Sequence, residues 1–158
     1  MKVKGDGFTL IELSVVITAL AIVAAMGLPK FAALQTEARI AKINGALGSV
    51  KAAAELARSM QLTHSLPPSN PVVMAGATIN MINGYPTATS IAAAAGIPVP
   101  DYNVSAPVPV AWVNQVTISA DAAHPLCAVS YREAAPGTTP VFAMPLDPNN
   151  PTDRANCS

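Results

Sequence analysis

The chain has 158 residues, enough for one modest domain, and its nine basic and nine acidic residues cancel, so no basic field exists to attract nucleic acid. At 51% hydrophobic residues it is too apolar for a disordered chain; at 11% charged residues it falls well below the charge content of an ordinary soluble domain, about 25%. Something other than water covers part of it. The charges are also unevenly placed. Lys2, Lys4 and Asp6 precede Phe8, and Glu12 is the sole charged residue from Phe8 to Leu28. Lys30 to Arg58 is net basic, Ser59 to Pro100 carries no Asp, Glu, Lys or Arg, and the remainder is net acidic.

The first predicted element is the apolar run Phe8 to Leu28. As a helix rising about 1.5 Å per residue it spans roughly 30 Å, the thickness of a hydrocarbon core. Lys2 and Lys4 keep its amino end cytoplasmic by the positive-inside rule, which leaves everything after Leu28 outside. A secretory signal peptide cut near Ala19-Leu20-Ala21 is the plain alternative. Two features weigh against it: Glu12 interrupts the uncharged region such a peptide needs, and the apolar pattern continues beyond Ala21. A carboxylate in a membrane span costs about 2.5 to 3.5 kcal/mol on insertion scales and normally marks function. No Lys or Arg lies one turn away within the span, so its partner comes from elsewhere. Cleavage between Gly7 and Phe8 would supply one, a new α-amino group four residues before Glu12.

Gly7-Phe8-Thr9-Leu10-Ile11-Glu12-Leu13, behind a short basic leader and ahead of an apolar run, resembles the class III signal sequence of type IV pilins and the related type II secretion pseudopilins. The resemblance implies that a prepilin peptidase removes residues 1–7 by cutting after Gly7 and N-methylates Phe8. It further implies that Phe8, Thr9 and Glu12 serve assembly, with Glu12 meeting the Phe8 amine of a neighbouring subunit. Residues 8–28 would then be first a transmembrane and later a fibre-core helix. Pro29, with Gly27 just before it, stands where such pilins carry a helix-loosening proline, and the pair predicts a helix break.

Beyond the break, Phe31, Leu34, Ala38, Ala41, Leu47, Val50, Ala54 and Ala57 recur at helical spacing, so residues 29–65 read as an amphipathic continuation of the helix. Gly45 and Gly48 weaken it and are expected to allow a bend or a close approach of the head. Leu66-Pro67-Pro68 ends it. Within residues 66–158, Val72 to Met74 and Thr78 to Ile82 predict a hairpin or a strand and loop, Asn83-Gly84-Tyr85-Pro86 a turn, and Thr87 to Ala95 a short helix. Val108 to Ser119, Leu126 to Glu133 and Pro140 to Met144 predict strands, with Trp112 in the core. The expected class is α+β: a long N-terminal helix, membrane-spanning in its first half, packed on a C-terminal antiparallel β-sheet. Asn83-Gly84-Tyr85-Pro86-Thr87-Ala88-Thr89 is similar to a Gly-Tyr-Pro segment of mannose-sensitive haemagglutinin pilins.

Cys127 and Cys157 both lie outside the span, on the oxidising side, so a disulfide is the default; type IV pilins commonly carry such a C-terminal disulfide loop. Asp147, Asn149, Asn150 and Asp153 are rich in oxygen ligands but lack the calcium-loop spacing, and a solvated turn is expected. His64 and His124 have no partners at catalytic spacing. The expectation is therefore a non-enzymatic subunit without metal or cofactor. The resemblance implies that it is held single-pass in the inner membrane, handled by the prepilin peptidase and the pilus assembly machinery, and polymerised with its own copies into an extracellular pilus fibre for adhesion, aggregation or motility. Its lipid contacts belong to the stage before assembly, and nucleic acid is not among the partners. A pseudopilin of type II secretion, and a membrane-anchored periplasmic binding module that never polymerises, are the rival readings. The uncharged stretch Ser59 to Pro100 is expected to be covered by neighbouring heads or to form an apolar adhesive face.

Overall fold

The computed structural model describes residues 8–99 and 101–158, without the side chains of Leu28, Pro29 and Ala32. The leader with Gly7 lies outside the described residues. A long helix, α1 (Leu10–Thr63), is followed by short antiparallel strands and two short helices, the α+β layout of type IV pilins. The chain divides into two units after Gln35, the first a helical segment and the second the head. The helix continues through residues 27 to 29, so the break expected at Gly27 and Pro29 is not an unwound turn. Proline removes a single backbone donor, and the bonded turns on both sides keep the helix formed.

The helix stops for a reason visible in its backbone. Ser65 takes a left-handed conformation (φ 52°), its N–H donates to Leu62 O, and the Leu66 N–H donates to Gln61 O. This is a Schellman stop with serine in place of the usual glycine, and Pro67 and Pro68 then forbid continuation. The Gln61 side chain, only 3% exposed, secures the exit by donating to Pro67 O and Asn70 O.

Within the head, α1 buries Ile40, Ile43, Leu47, Val50, Ala54 and Ala57. The predicted face is right from Leu47 onward. Ala38 and Ala41 are exposed instead of buried, because the bulkier Ile40 and Ile43 take the core side of the first two turns. Gly45 and Gly48 are also exposed, and a Cβ at either would meet nothing within 4 Å, so they make no close approach to the sheet.

The main sheet has the order β5 (Asn103–Val104), β7 (Val113–Ser119), β8 (Ala128–Arg132), β9 (Val141–Phe142), with β6 (Val108–Val110) also paired to β7. Val116 and Ile118 from β7, with Val129 and Tyr131 from β8, face the helix and form one core with it. The run read as a single strand from Val108 to Ser119 folds back on itself at Ala111-Trp112, between the paired Val110 and Val113. Trp112 is therefore at a turn and 97% exposed, not in the core. The turn escaped prediction because it holds neither Gly nor Asn; Ala111 adopts φ 58° in its place.

Two further hairpins precede the sheet. β1 (Val72–Met74) pairs with β2 (Ala77–Ile79) around Ala75-Gly76, and β3 (Met81–Ile82) pairs with β4 (Tyr85–Pro86) around Asn83-Gly84. Both turns have two consecutive positive φ values, the twist that two-residue hairpins favour. Val72, Met74, Ile79 and Met81 pack with Ala57 in a second apolar cluster. Part of the uncharged stretch is thus buried in its own head, while residues such as Leu62, Val73 and Val99 stay exposed. The predicted helix Thr87 to Ala95 shortens to α2 (Ile91–Ala94), because Thr87 and Ser90 serve a turn in which the Ser90 hydroxyl accepts the Asn80 N–H. Near the C-terminus, α3 (Pro151–Asn156) replaces the expected solvated turn; Asn150 caps it by accepting the Thr152 N–H.

Strands this short need side-chain ties. The Glu133 carboxylate, 4% exposed, accepts the Ala88 N–H (2.7 Å), the Asn114 N–H (3.0 Å) and the Asn114 side-chain amide (3.2 Å). It fastens the segment before α2 to the start of β7. Tyr131 donates to Pro86 O (2.6 Å), and its burial raises the phenol pKa above its ordinary value. Removing the buried acceptor in Glu133→Ala strands three donors, and we expect a loss of about 3 kcal/mol. Urea unfolding of the full chain in detergent, followed by tyrosine fluorescence, measures it; a loss below about 1 kcal/mol would show that water replaces the carboxylate.

Candidate processing and assembly site

The N-terminal unit begins with an arrangement that the residue types dictate. Thr9 stands at the N-cap of α1 and Glu12 at the third helical position. Glu12 Oε2 accepts both the Thr9 N–H (2.9 Å) and the Thr9 hydroxyl (2.8 Å), and the Glu12 N–H donates back to Thr9 Oγ1 (3.3 Å). This is a reciprocal capping box, satisfying backbone donors that a helix start otherwise leaves open. The Thr-x-x-Glu spacing is a readable signal for it, one that the ion-pair reading of Glu12 leaves unused. Among the described residues, Glu12 Oε1 receives no hydrogen bond.

The carboxylate does not stand on a polar surface. Phe8, Ile11, Val15 and Val16 border a shallow groove with it, and Phe8 and Ile11 are exposed. The window Leu10–Gly27 has a mean hydropathy of 2.3, and none of it is buried within the chain. Its hydroxyls are turned inward to the backbone: Ser14 donates to Ile11 O (2.9 Å) and Thr18 to Ser14 O (2.7 Å). Both polar groups are thereby satisfied without water, as a lipid-facing or tightly packed helix requires. Among the described residues of this span, Glu12 keeps one carboxylate oxygen without a donor.

Phe8 and Thr9 immediately precede α1 and Glu12 lies in its first turn, so the three stand side by side at the helix start. Gly27 sits in the same helix, where its Cβ position would lie 3.8 Å from the Phe31 ring.

The cysteines lie in the head. Cys127 and Cys157 form a disulfide with Cα atoms 4.7 Å apart, joining the end of α3 to the start of β8. Arg39 braces this corner by donating to Cys157 O (2.9 Å) and by pairing with Asp121 (3.6 Å). Asp121 also meets His124 Nδ1 at 2.7 Å, and that hydrogen bond holds its carboxyl below the ordinary aspartate pKa. His124 is thereby a turn residue, and His64 is exposed just past the end of α1. In the oxygen-rich tail, Asp153 accepts the Asp147 N–H and Asp147 accepts the Asn149 N–H, so these oxygens organise α3 and its approach. Among the described residues no cluster of three or more potential metal ligands occurs.

Comparison with known proteins locates the chain by its N-terminus. Residues 4–28 match the family described as the prokaryotic N-terminal methylation motif, which covers the Phe8, Thr9 and Glu12 turn and the apolar span together. No curated protein and no solved structure matches the chain. The motif implies processing by a prepilin peptidase and handling by the type IV assembly system, and with the apolar helix it fits a pilin anchored in the inner membrane. The chain carries the class III signal peptide of type IV pilin-like proteins and is a prepilin-type substrate, of the pilin or the pseudopilin kind.

Proposed function

We propose that this protein is the structural subunit of a bacterial type IV pilus. It is cut after Gly7, N-methylated at Phe8, held in the inner membrane by residues 8–28, and polymerised through that helix into a surface fibre for adhesion, aggregation or motility. It is not an enzyme; its work is assembly. The observation that carries this reading is the exposed apolar helix whose one carboxylate keeps an uncommitted oxygen. In a monomer in lipid that oxygen is unfavourable, whereas between packed helices a neighbour's Phe8 ammonium recovers much of the cost in low dielectric. Oε2 holds the helix start while Oε1 takes the neighbour, so capping and assembly do not compete for one lone pair. The C-terminal disulfide supports the pilus over the pseudopilus, since pilins commonly close their exposed C-terminal loop this way.

Two measurements test the reading. Mass spectrometry of the mature protein should give a chain that starts at Phe8 with one added methyl group; any other start removes the foundation of the proposal. Glu12→Ala should leave export and membrane insertion intact while reducing surface fibres at least tenfold by electron microscopy. Unchanged fibre numbers would overturn the role given to Glu12, and wild-type polymer confined to the periplasm would favour the pseudopilin.

A further inference from the structure

Arg58 occupies an unusual setting. Its guanidinium lies 4.6 Å from the centre of the Tyr85 ring, which is itself buried at the start of β4. The turn beneath it is pinned in place: Asn83 donates to Ala134 O (2.8 Å), and the Gly84 N–H donates to Pro68 O (2.9 Å). Gly84 sits at φ 86°, and a Cβ there would stand 3.3 Å from Arg58 Nη1, so glycine leaves room for the guanidinium. Arg39 and Arg154 both pair with carboxylates, but Arg58 has none within ion-pair distance among the described residues. Glu55 stands one turn earlier on α1 without pairing to it, and the next acidic residue after Arg58 in sequence is Asp101.

The cation opens onto a cleft of about 480 Å³ whose walls include Leu62, Leu66 and Pro136, and whose rim carries Thr138 and Thr139. Gln61 and Asn83 also line it, so polar groups and apolar side chains are mixed around the cation. The same two threonines line an adjoining cleft of about 500 Å³ beside Trp112, with Arg132 and the already hydrogen-bonded Glu133 also in its lining. Trp112 adds nothing to the core, being 97% exposed, and the turn that presents it holds Ala111 at a positive φ that alanine disfavours. The turn thereby leaves the indole open to contact from outside the head. A planar guanidinium, the Thr139 hydroxyl with the Thr138 hydroxyl beside it (which donates to Ala135 O and can still accept), and an open aromatic face form a complementary set: bidentate donors for a carboxylate, partners for ring hydroxyls, and a platform for the apolar face of a sugar.

We propose that this surface binds an acidic oligosaccharide, with a uronic-acid carboxylate on Arg58 and a neighbouring sugar ring against Trp112. The proposal is independent of polymerisation, since both clefts belong to the head alone. NMR titration of the full chain in detergent micelles with digalacturonate tests it, using the neutral methyl diester of the same disaccharide as the control at equal ionic strength. Digalacturonate should shift the Gly84 and Gly137 amides and the Trp112 indole saturably, and the diester should bind at least tenfold more weakly. Arg58→Gln should weaken digalacturonate at least tenfold, Arg58→Lys by less, and Trp112→Ala about threefold. Equal binding of the diester, or shifts of these amides that do not saturate, would overturn the proposal even if a variant failed to fold. A tenfold loss with Arg58→Gln but none with Trp112→Ala would overturn the saccharide assignment.

Discussion

A single carboxylate in an uncovered apolar helix is the constraint on which the rest depends. Glu12 is the one charged residue within a span of bilayer length, and the chain buries none of that span. Its first oxygen is answered locally by Thr9, which closes the helix start. In the proposed fibre its second oxygen favours the assembled state over the isolated one. A carboxylate in an apolar medium is stabilised chiefly by an ammonium and by hydrogen-bond donors at close range. In the proposed fibre the mature Phe8 provides the ammonium, so the cut that removes the leader also creates the group that the carboxylate needs.

The head is built to stay folded at the end of such a helix with little regular sheet. Its strands run from two to seven residues, and several are tied by side chains instead of by long ladders. Asn44 both donates to Leu146 O (2.7 Å) and accepts the Leu146 N–H (2.8 Å), standing in for a missing strand partner. Glu133, Tyr131 and Gln61 perform the same service elsewhere, and the disulfide anchors the C-terminus. Low overall charge thus has two physical sources. One is the helix that the chain leaves bare, and the other is the uncharged stretch after Arg58, whose apolar side chains fill the head's own second cluster.

The N-terminal site was legible because its chemistry is local. Phe8, Thr9 and Glu12 stand side by side at the helix start, and the apolar run around them has a length set by the bilayer. Asn83-Gly84 was legible for the same reason, since a two-residue hairpin demands positive φ values and advertises them by residue type. Trp112 was misplaced because Ala111-Trp112 makes the same reversal without any such residue, so alternation of Val, Ile and Thr ran unbroken through the turn. The Arg58 cleft could not be read at all: Arg58, Gly84 and Thr138 come from three distant stretches of chain, and only the fold sets them together. α3 has a local sign in Asn150-Pro151, a cap followed by a first-turn proline, but the same Pro and Asn residues equally suit a turn.

The most direct test of the central claim is the distance between the Phe8 amine nitrogen and the Glu12 carboxyl carbon across subunits. Fibres grown from two populations, one labelled with ¹⁵N at Phe8 and the other with ¹³C at the Glu12 carboxyl, allow dipolar recoupling by solid-state NMR only between different chains. The account predicts clear dephasing in the mixed fibres, corresponding to a separation of about 4 Å for an ion pair. Dephasing seen only when both labels sit in the same chain would contradict it.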